Sequence, residues 1–244
     1  MLGFGIDLAG YTTGKTTVAV VHIESGSVKA TLLRGSALSK KRESSACLKQ
    51  VLNEEVADLR RCFAIGPVAV DIPIDLQGLP NPHNREYIWQ LTRRPIDQVV
   101  NAMPAYADRI GAPVARFAAI VREGDFDALL GETLFEAYPA GTLKLLKIKA
   151  GQYKGAKGAQ ALNCLCATLK IKPRVDSDDD VDAIICAITA AAPAEQVHHA
   201  SAFKIEGPLP RGFRIPKSLA FDEIHVTTAD FDGWMKSREA SRGA

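Results

Sequence analysis

The 244-residue sequence has no apolar run of about 18 residues, the length a helix needs to cross a bilayer. It has no basic-then-apolar leader either, so the expectation is a cytoplasmic protein. Neither charge sign dominates: the net charge is +2, which neither demands nor excludes a nucleic-acid partner. The five cysteines, Cys47, Cys62, Cys164, Cys166 and Cys186, are odd in number and sit in apolar patterns, which suits reduced core residues. Cys164-Leu165-Cys166 lacks the two-residue spacer and second pair of a zinc site, and the five histidines form no spaced ligand set. There is no internal repeat. What remains is 47% hydrophobic and 24% charged, enough apolar content for a sizeable core in one large domain or one domain with an appendage.

The first informative stretch is Gly3-Phe4-Gly5-Ile6-Asp7-Leu8-Ala9-Gly10. An apolar run ending in one aspartate and a small-residue turn reads as a buried strand that delivers Asp7 to a sheet edge. Residues 9–16 also match a permissive phosphate-loop pattern through Gly14-Lys15-Thr16. That motif needs a helix directly after it, whose amides cradle the phosphates. Thr17-Val18-Ala19-Val20-Val21 instead favours a strand, so Lys15 and the threonines read as turn residues. Thr12 and Thr13 remain candidates to touch a ligand.

A third strand over 28–33 gives an antiparallel meander. Leu48, Val51, Leu52, Val56 and Leu59 mark a helix within 43–62, broken by Gly66-Pro67. Val68-Ala69-Val70-Asp71-Ile72-Pro73-Ile74 then reads as a strand parallel to the first, ending with Asp71 near Asp7. Residues 84–94 carry Arg85, Arg93 and Arg94 around Tyr87 and Trp89: a solvated helix, or a basic aromatic segment that meets a phosphate backbone. A helix is expected over 97–111, ended by Gly111-Ala112-Pro113, and a strand over 131–139 with Glu136 near its end.

Thr142 to Arg174 holds eight lysines or arginines and no acid, a one-sign block that suits a polyanion, with Lys154 in Tyr153-Lys154-Gly155 as the candidate phosphate contact. Asp178, Asp179, Asp180 and Asp182 then open an apolar helix. Acids there are stabilised by the helix dipole, but four are more than capping needs. Asp179 and Asp182 share one helix face, which could meet Asp7 and Asp71. From residue 196 the Pro- and Gly-rich chain reads as an irregular extension packed on the domain formed by 1–195, with a frayed end after Trp234.

The order of these elements resembles the RNase H-like fold, and Asp179-Asp180-Val181-Asp182-Ala183 resembles the helix start of RuvC-type resolvases. The chain is more similar still to a prokaryotic family of predicted RNase H-like nucleases grouped as a domain of unknown function. The matching stretches are Gly5 to Gly10, Val70 to Pro73, Phe135 to Pro139, Tyr153 to Gly155 and Asp179 to Ala187. The resemblance implies an α/β protein: an RNase H-like mixed sheet, with a three-strand antiparallel meander plus parallel strands, flanked by helices. It also implies a metal-dependent nuclease. Asp7, Asp71 and Asp182, helped by Asp179 or Glu136, would hold one or two Mg²⁺ or Mn²⁺ ions, hard ions that prefer oxygen ligands. Lys154 and Arg85, with Thr12 and Thr13, would face a nucleic-acid substrate. Two alternatives stay open. One is a sugar-kinase or actin-like ATP-binding phosphotransferase, which opens with a similar Gly-x-Asp strand and Thr turn. The other is an inactive nucleic-acid or protein-binding module.

Overall fold

The computed structural model describes residues 1–43, 45–75, 94–100, 102, 111–155, 158–203 and 209–242. Arg85, with the rest of the basic aromatic segment before Arg94, lies outside the described residues. Strands β1 (Leu2–Asp7), β2 (Thr17–Glu24) and β3 (Ser27–Arg34) form the antiparallel meander, turned between β2 and β3 by Ser25 and Gly26 at positive φ. Helix α1 (Leu48–Ile65) leads back to β4 (Val68–Val70), which runs parallel to β1. Strand β5 (Leu134–Glu136) lies parallel to β4 on its outer side. The strands lie in the order β5-β4-β1-β2-β3, and the antiparallel meander with parallel strands beside it is the mixed sheet that the RNase H resemblance implied.

Helix α6 (Asp178–Ala191) lies against β1, because Gly3 and Gly5 have no side chain there. A Cβ on Gly5 would meet backbone atoms of Ala183 and Ala187, and one on Gly3 those of Ala187 and Ala191. Alternation along β1 sends Phe4 and Ile6 to the opposite face. There they pack with Leu52, Val56 and Leu59 of α1, and with Val114 and Phe117 of α3 (Gly111–Gly124). On the α6 face, Ala19, Val21 and Leu32 join α4 (Pro139–Leu145), α5 (Ala159–Thr168) and α6 in the second half of the core. The sheet is therefore a middle layer with helices on both sides.

Four expectations change. Gly111-Ala112-Pro113 does not end a helix: these residues belong to α3, which runs on to Gly124. The helix that precedes, α2, spans Pro95–Val100. The stretch from residue 196 is not irregular throughout. Ile224–Asp230 forms β7, parallel to β3, and it carries the two-residue β6 (Ile171–Lys172) on its far side. Its Ile224 and Val226 point inward at alternate positions. Rather than fraying after Trp234, the chain continues as α7 (Phe231–Arg242), whose Phe231 and Met235 are buried against the first core half. All five cysteines are free, and only Cys62, Cys166 and Cys186 are core residues; Cys47 and Cys164 are exposed. Among the described residues, no helix is long and apolar enough to cross a membrane.

Candidate active site

The register of three strands brings their acids together. Ile6 pairs with Val70, and Val70 pairs with Glu136, so Asp7, Asp71 and Glu136 end neighbouring parallel strands at one edge. Pro73, which has no N–H to donate, stops the β4 ladder just past Asp71. The Ser177 hydroxyl caps α6 by accepting from the Asp180 amide at 3.0 Å, and the first turn of α6 carries Asp179 to the same edge. Asp7, Asp71, Glu136 and Asp179 line a cleft of about 400 Å³, with Thr13, Lys15, Arg94 and Lys154 on its walls.

The carboxyls in the cleft are held well away from their ordinary state. Burial, then the charge of Asp71, raises Asp7 well above the usual carboxylate range. The interaction between Asp7 and Asp179 raises Asp7 further and acts to lower Asp179. Asp179 is itself raised by burial and by Asp178. Asp71 is pushed up to about 6 by burial, with Lys154 opposing and Glu136 reinforcing the shift. Such crowding of desolvated acids is costly without a cation among them.

The remaining candidates separate. Asp182 is fully buried one helical turn deeper: its Oδ1 accepts from the Tyr153 hydroxyl at 2.7 Å, and its Oδ2 pairs with the Lys154 ammonium. Asp180 turns away to Arg34 at 2.8 Å, which leaves Asp179 as the cleft acid of the doublet. Glu136 reaches the cleft with both oxygens committed. They accept from Arg94 Nη2 at 2.6 Å, from Arg94 Nη1 at 2.8 Å and from the Ile74 amide at 2.8 Å. Glu136 thereby ties down the turn that follows Asp71. Arg94 also grips Asp97 and the Asp75 carbonyl, a buried network invisible in the sequence.

The turn after Asp7 is clamped from behind. Arg116 donates to the Ala9 carbonyl at 2.6 Å, to the Leu38 carbonyl at 2.7 Å and to Glu55 at 2.5 Å, while the Tyr11 hydroxyl donates to Glu55 at 3.1 Å. The Thr13 hydroxyl folds back onto the Gly10 carbonyl at 2.9 Å, and Thr12 is exposed on the turn. The turn leads directly into β2 and not into the helix that a phosphate loop requires, so the phosphate-loop reading fails.

The donor chemistry fits a hard divalent cation: every candidate ligand is a carboxylate, and among the described residues the buried Asp182 Oδ2 has no donor except one ammonium. The side chains as they stand do not close around an ion. Among the described residues, no three His, Cys, Asp or Glu side chains are grouped to hold one.

No family model matches the chain, and no curated protein matches it. Two solved structures are similar. The Thermus thermophilus RuvC structure is 16% identical, with a TM-score of 0.38, over 77% of this chain and 92% of that one. T. thermophilus RuvC in complex with Holliday junction substrate is 18% identical, also with a TM-score of 0.38, over 77% of this chain and 91% of that one. That likeness is too loose to carry a site residue across. The RNase H-like arrangement rests on the strand order itself.

Proposed function

We propose that this protein is a divalent-metal-dependent nuclease that hydrolyses phosphodiester bonds of a nucleic acid. One observation carries the reading: Asp7, Asp71 and Asp179 meet at one sheet edge, in a cleft that desolvates them and sets their charges against one another. Strained acids gathered in a cleft mark sites of chemistry more often than sites of packing. These three would hold Mg²⁺ or Mn²⁺, with Asp182 behind them. A bound divalent ion supplies a Lewis acid for the phosphoryl group and an activated water. The rest falls to the protein. Lys15 and Lys154 stand on the cleft walls, where a substrate phosphate needs positive charge. Thr13 sits on the rim beside them. The Arg116–Glu55 clamp holds the turn after Asp7, and the Arg94–Glu136 pair holds the turn after Asp71, so the acids keep their spacing as substrate arrives.

A second reading, a binding module without chemistry, is favoured by the ammonium that already pairs with Asp182. One experiment separates the two. Single-stranded, duplex, hybrid and branched oligonucleotides are incubated with Mg²⁺ or Mn²⁺ and either the wild type or Asp7→Asn. Cleavage by the wild type alone is the expected result. If the wild type cuts none of them above the variant, the nuclease reading fails, and oligonucleotide binding that survives in Asp7→Asn would favour the module.

A further inference from the structure

We infer that Lys154 is the built-in counter-ion of this carboxylate cluster, and that a divalent cation enters by displacing it. The inference rests on the metal-site reading above and concerns how that site loads.

Asp182 has no exposure to solvent, and among the described residues the only cation at its Oδ2 is the Lys154 ammonium. The Tyr153 hydroxyl fixes the other oxygen, so the carboxylate is held with Oδ2 toward that ammonium. A buried carboxylate left without a partner is strongly destabilising, so something positive has to stand there. Lys154 also acts on the acids in front: its charge opposes the upward shifts of Asp7, Asp71 and Asp179. One ammonium thus acts on four carboxylates, with Lys15 adding its charge at Asp179.

Lys154 is nevertheless built to leave. Its side chain is 49% exposed, whereas its partner is fully buried. It is carried on a turn bracketed by Gly151 at φ 59° and Gly155 at φ 76°. A Cβ on Gly155 would meet nothing within 4 Å, although its amide donates to Asp178 Oδ2 at 2.9 Å, so the freedom lies in the Lys154 side chain rather than in the turn. A divalent cation between Asp7, Asp71 and Asp179 would repel the ammonium and satisfy the acids better, with two charges for one. The long, flexible lysine stem then lets the ammonium swing along the cleft wall, where it can meet a substrate phosphate. Metal loading would in this way create a phosphate contact that the metal-free protein lacks.

The test is calorimetric titration of the metal-free protein with Mn²⁺ alone, on the wild type, Lys154→Met, Lys154→Gln and Asp7→Asn. Removing a competing cation should tighten Mn²⁺ binding by about tenfold, a typical coupling between ligands that exclude one another. Glutamine can still donate to Asp182, which keeps the comparison available if the methionine variant folds poorly. The Mn²⁺-induced rise in melting temperature should also grow in these variants. Equal or weaker Mn²⁺ binding in both Lys154 variants, with the wild type binding and Asp7→Asn not, overturns the exchange and leaves the metal site standing. No Mn²⁺ binding by any of the four proteins overturns the metal site and the exchange with it.

Discussion

Replacing Arg94 by methionine tests how the back wall of the cleft is built. Arg94 is 1% exposed, Asp97 1% and Glu136 2%, so none of the three charges can turn to water. The guanidinium donates through Nη1 to Asp75 O and Glu136, through Nη2 to Glu136 and Asp97, and through Nε to Asp97 at 3.1 Å. Methionine fills similar space and removes every one of these donors, which leaves two buried carboxylates without their cation. Breaking one buried pair from one side costs about 3–5 kcal/mol, and Arg94→Met is placed in that range. Adding Glu136→Gln neutralises one of the stranded acids. The double variant should recover about 1–2 kcal/mol of the loss, a coupling of the size contacting residues show. The assay is urea denaturation of the four proteins of the cycle in chelator, followed by circular dichroism. A loss below about 1 kcal/mol for Arg94→Met, or additive effects in the cycle, would refute the claim that Glu136 is an anchor.

Two further perturbations probe the acids and the helix that brings them together. Asp71 is held near pH 6 against an ordinary 3.8, so between those values the folded state keeps a proton that the unfolded state has lost. Stability of the metal-free protein therefore falls as pH rises through about 6, and Asp71→Asn should add about 1–3 kcal/mol at pH 7.5, discounted for the wet cleft, with the gain vanishing near pH 4. Thermal melts in chelator at the two pH values check this, and a less stable variant at pH 7.5 contradicts it. Gly5→Ala forces a methyl into the backbone of α6 at Ala183 and Ala187, so a loss of about 1–3 kcal/mol or more is expected, along with a smaller Mn²⁺-induced thermal shift; an unchanged melting temperature would mean that the close approach is not needed.

The parts of this architecture legible in the sequence were those written in local periodicity. The meander, α1, β4 and α6 follow from β-branched runs, apolar stripes and Gly-Pro breaks, and the positions of Asp7 and Asp71 follow from them. The choice between Asp179 and Asp180 was not legible, because it depends on where Arg34, far away in sequence at the end of β3, reaches to pair with Asp180. Asp182 shares the face of Asp179 as expected, yet lies one turn behind it, since α6 runs away from the sheet edge into the core. Glu136 read as a site acid because strand position alone cannot reveal Arg94, 42 residues earlier. Strand β7 was missed because only Ile224 and Val226 of its seven residues are buried, too short an alternation to outweigh its polar neighbours.

The placement of β7 bears on how the chain is made. The outer edge of β3 is covered by a strand whose residues lie 196 positions after their β3 partners, and among the described residues β6 pairs with β7 alone. While the ribosome is still working through the preceding residues, β3 offers an open row of amides and carbonyls to any passing strand. The nascent chain is thus exposed to mispairing until residue 230 has emerged, and the last sheet contacts are among the longest in sequence. Folding that completes only from the far end makes β3 the surface through which a stalled or shortened chain would aggregate.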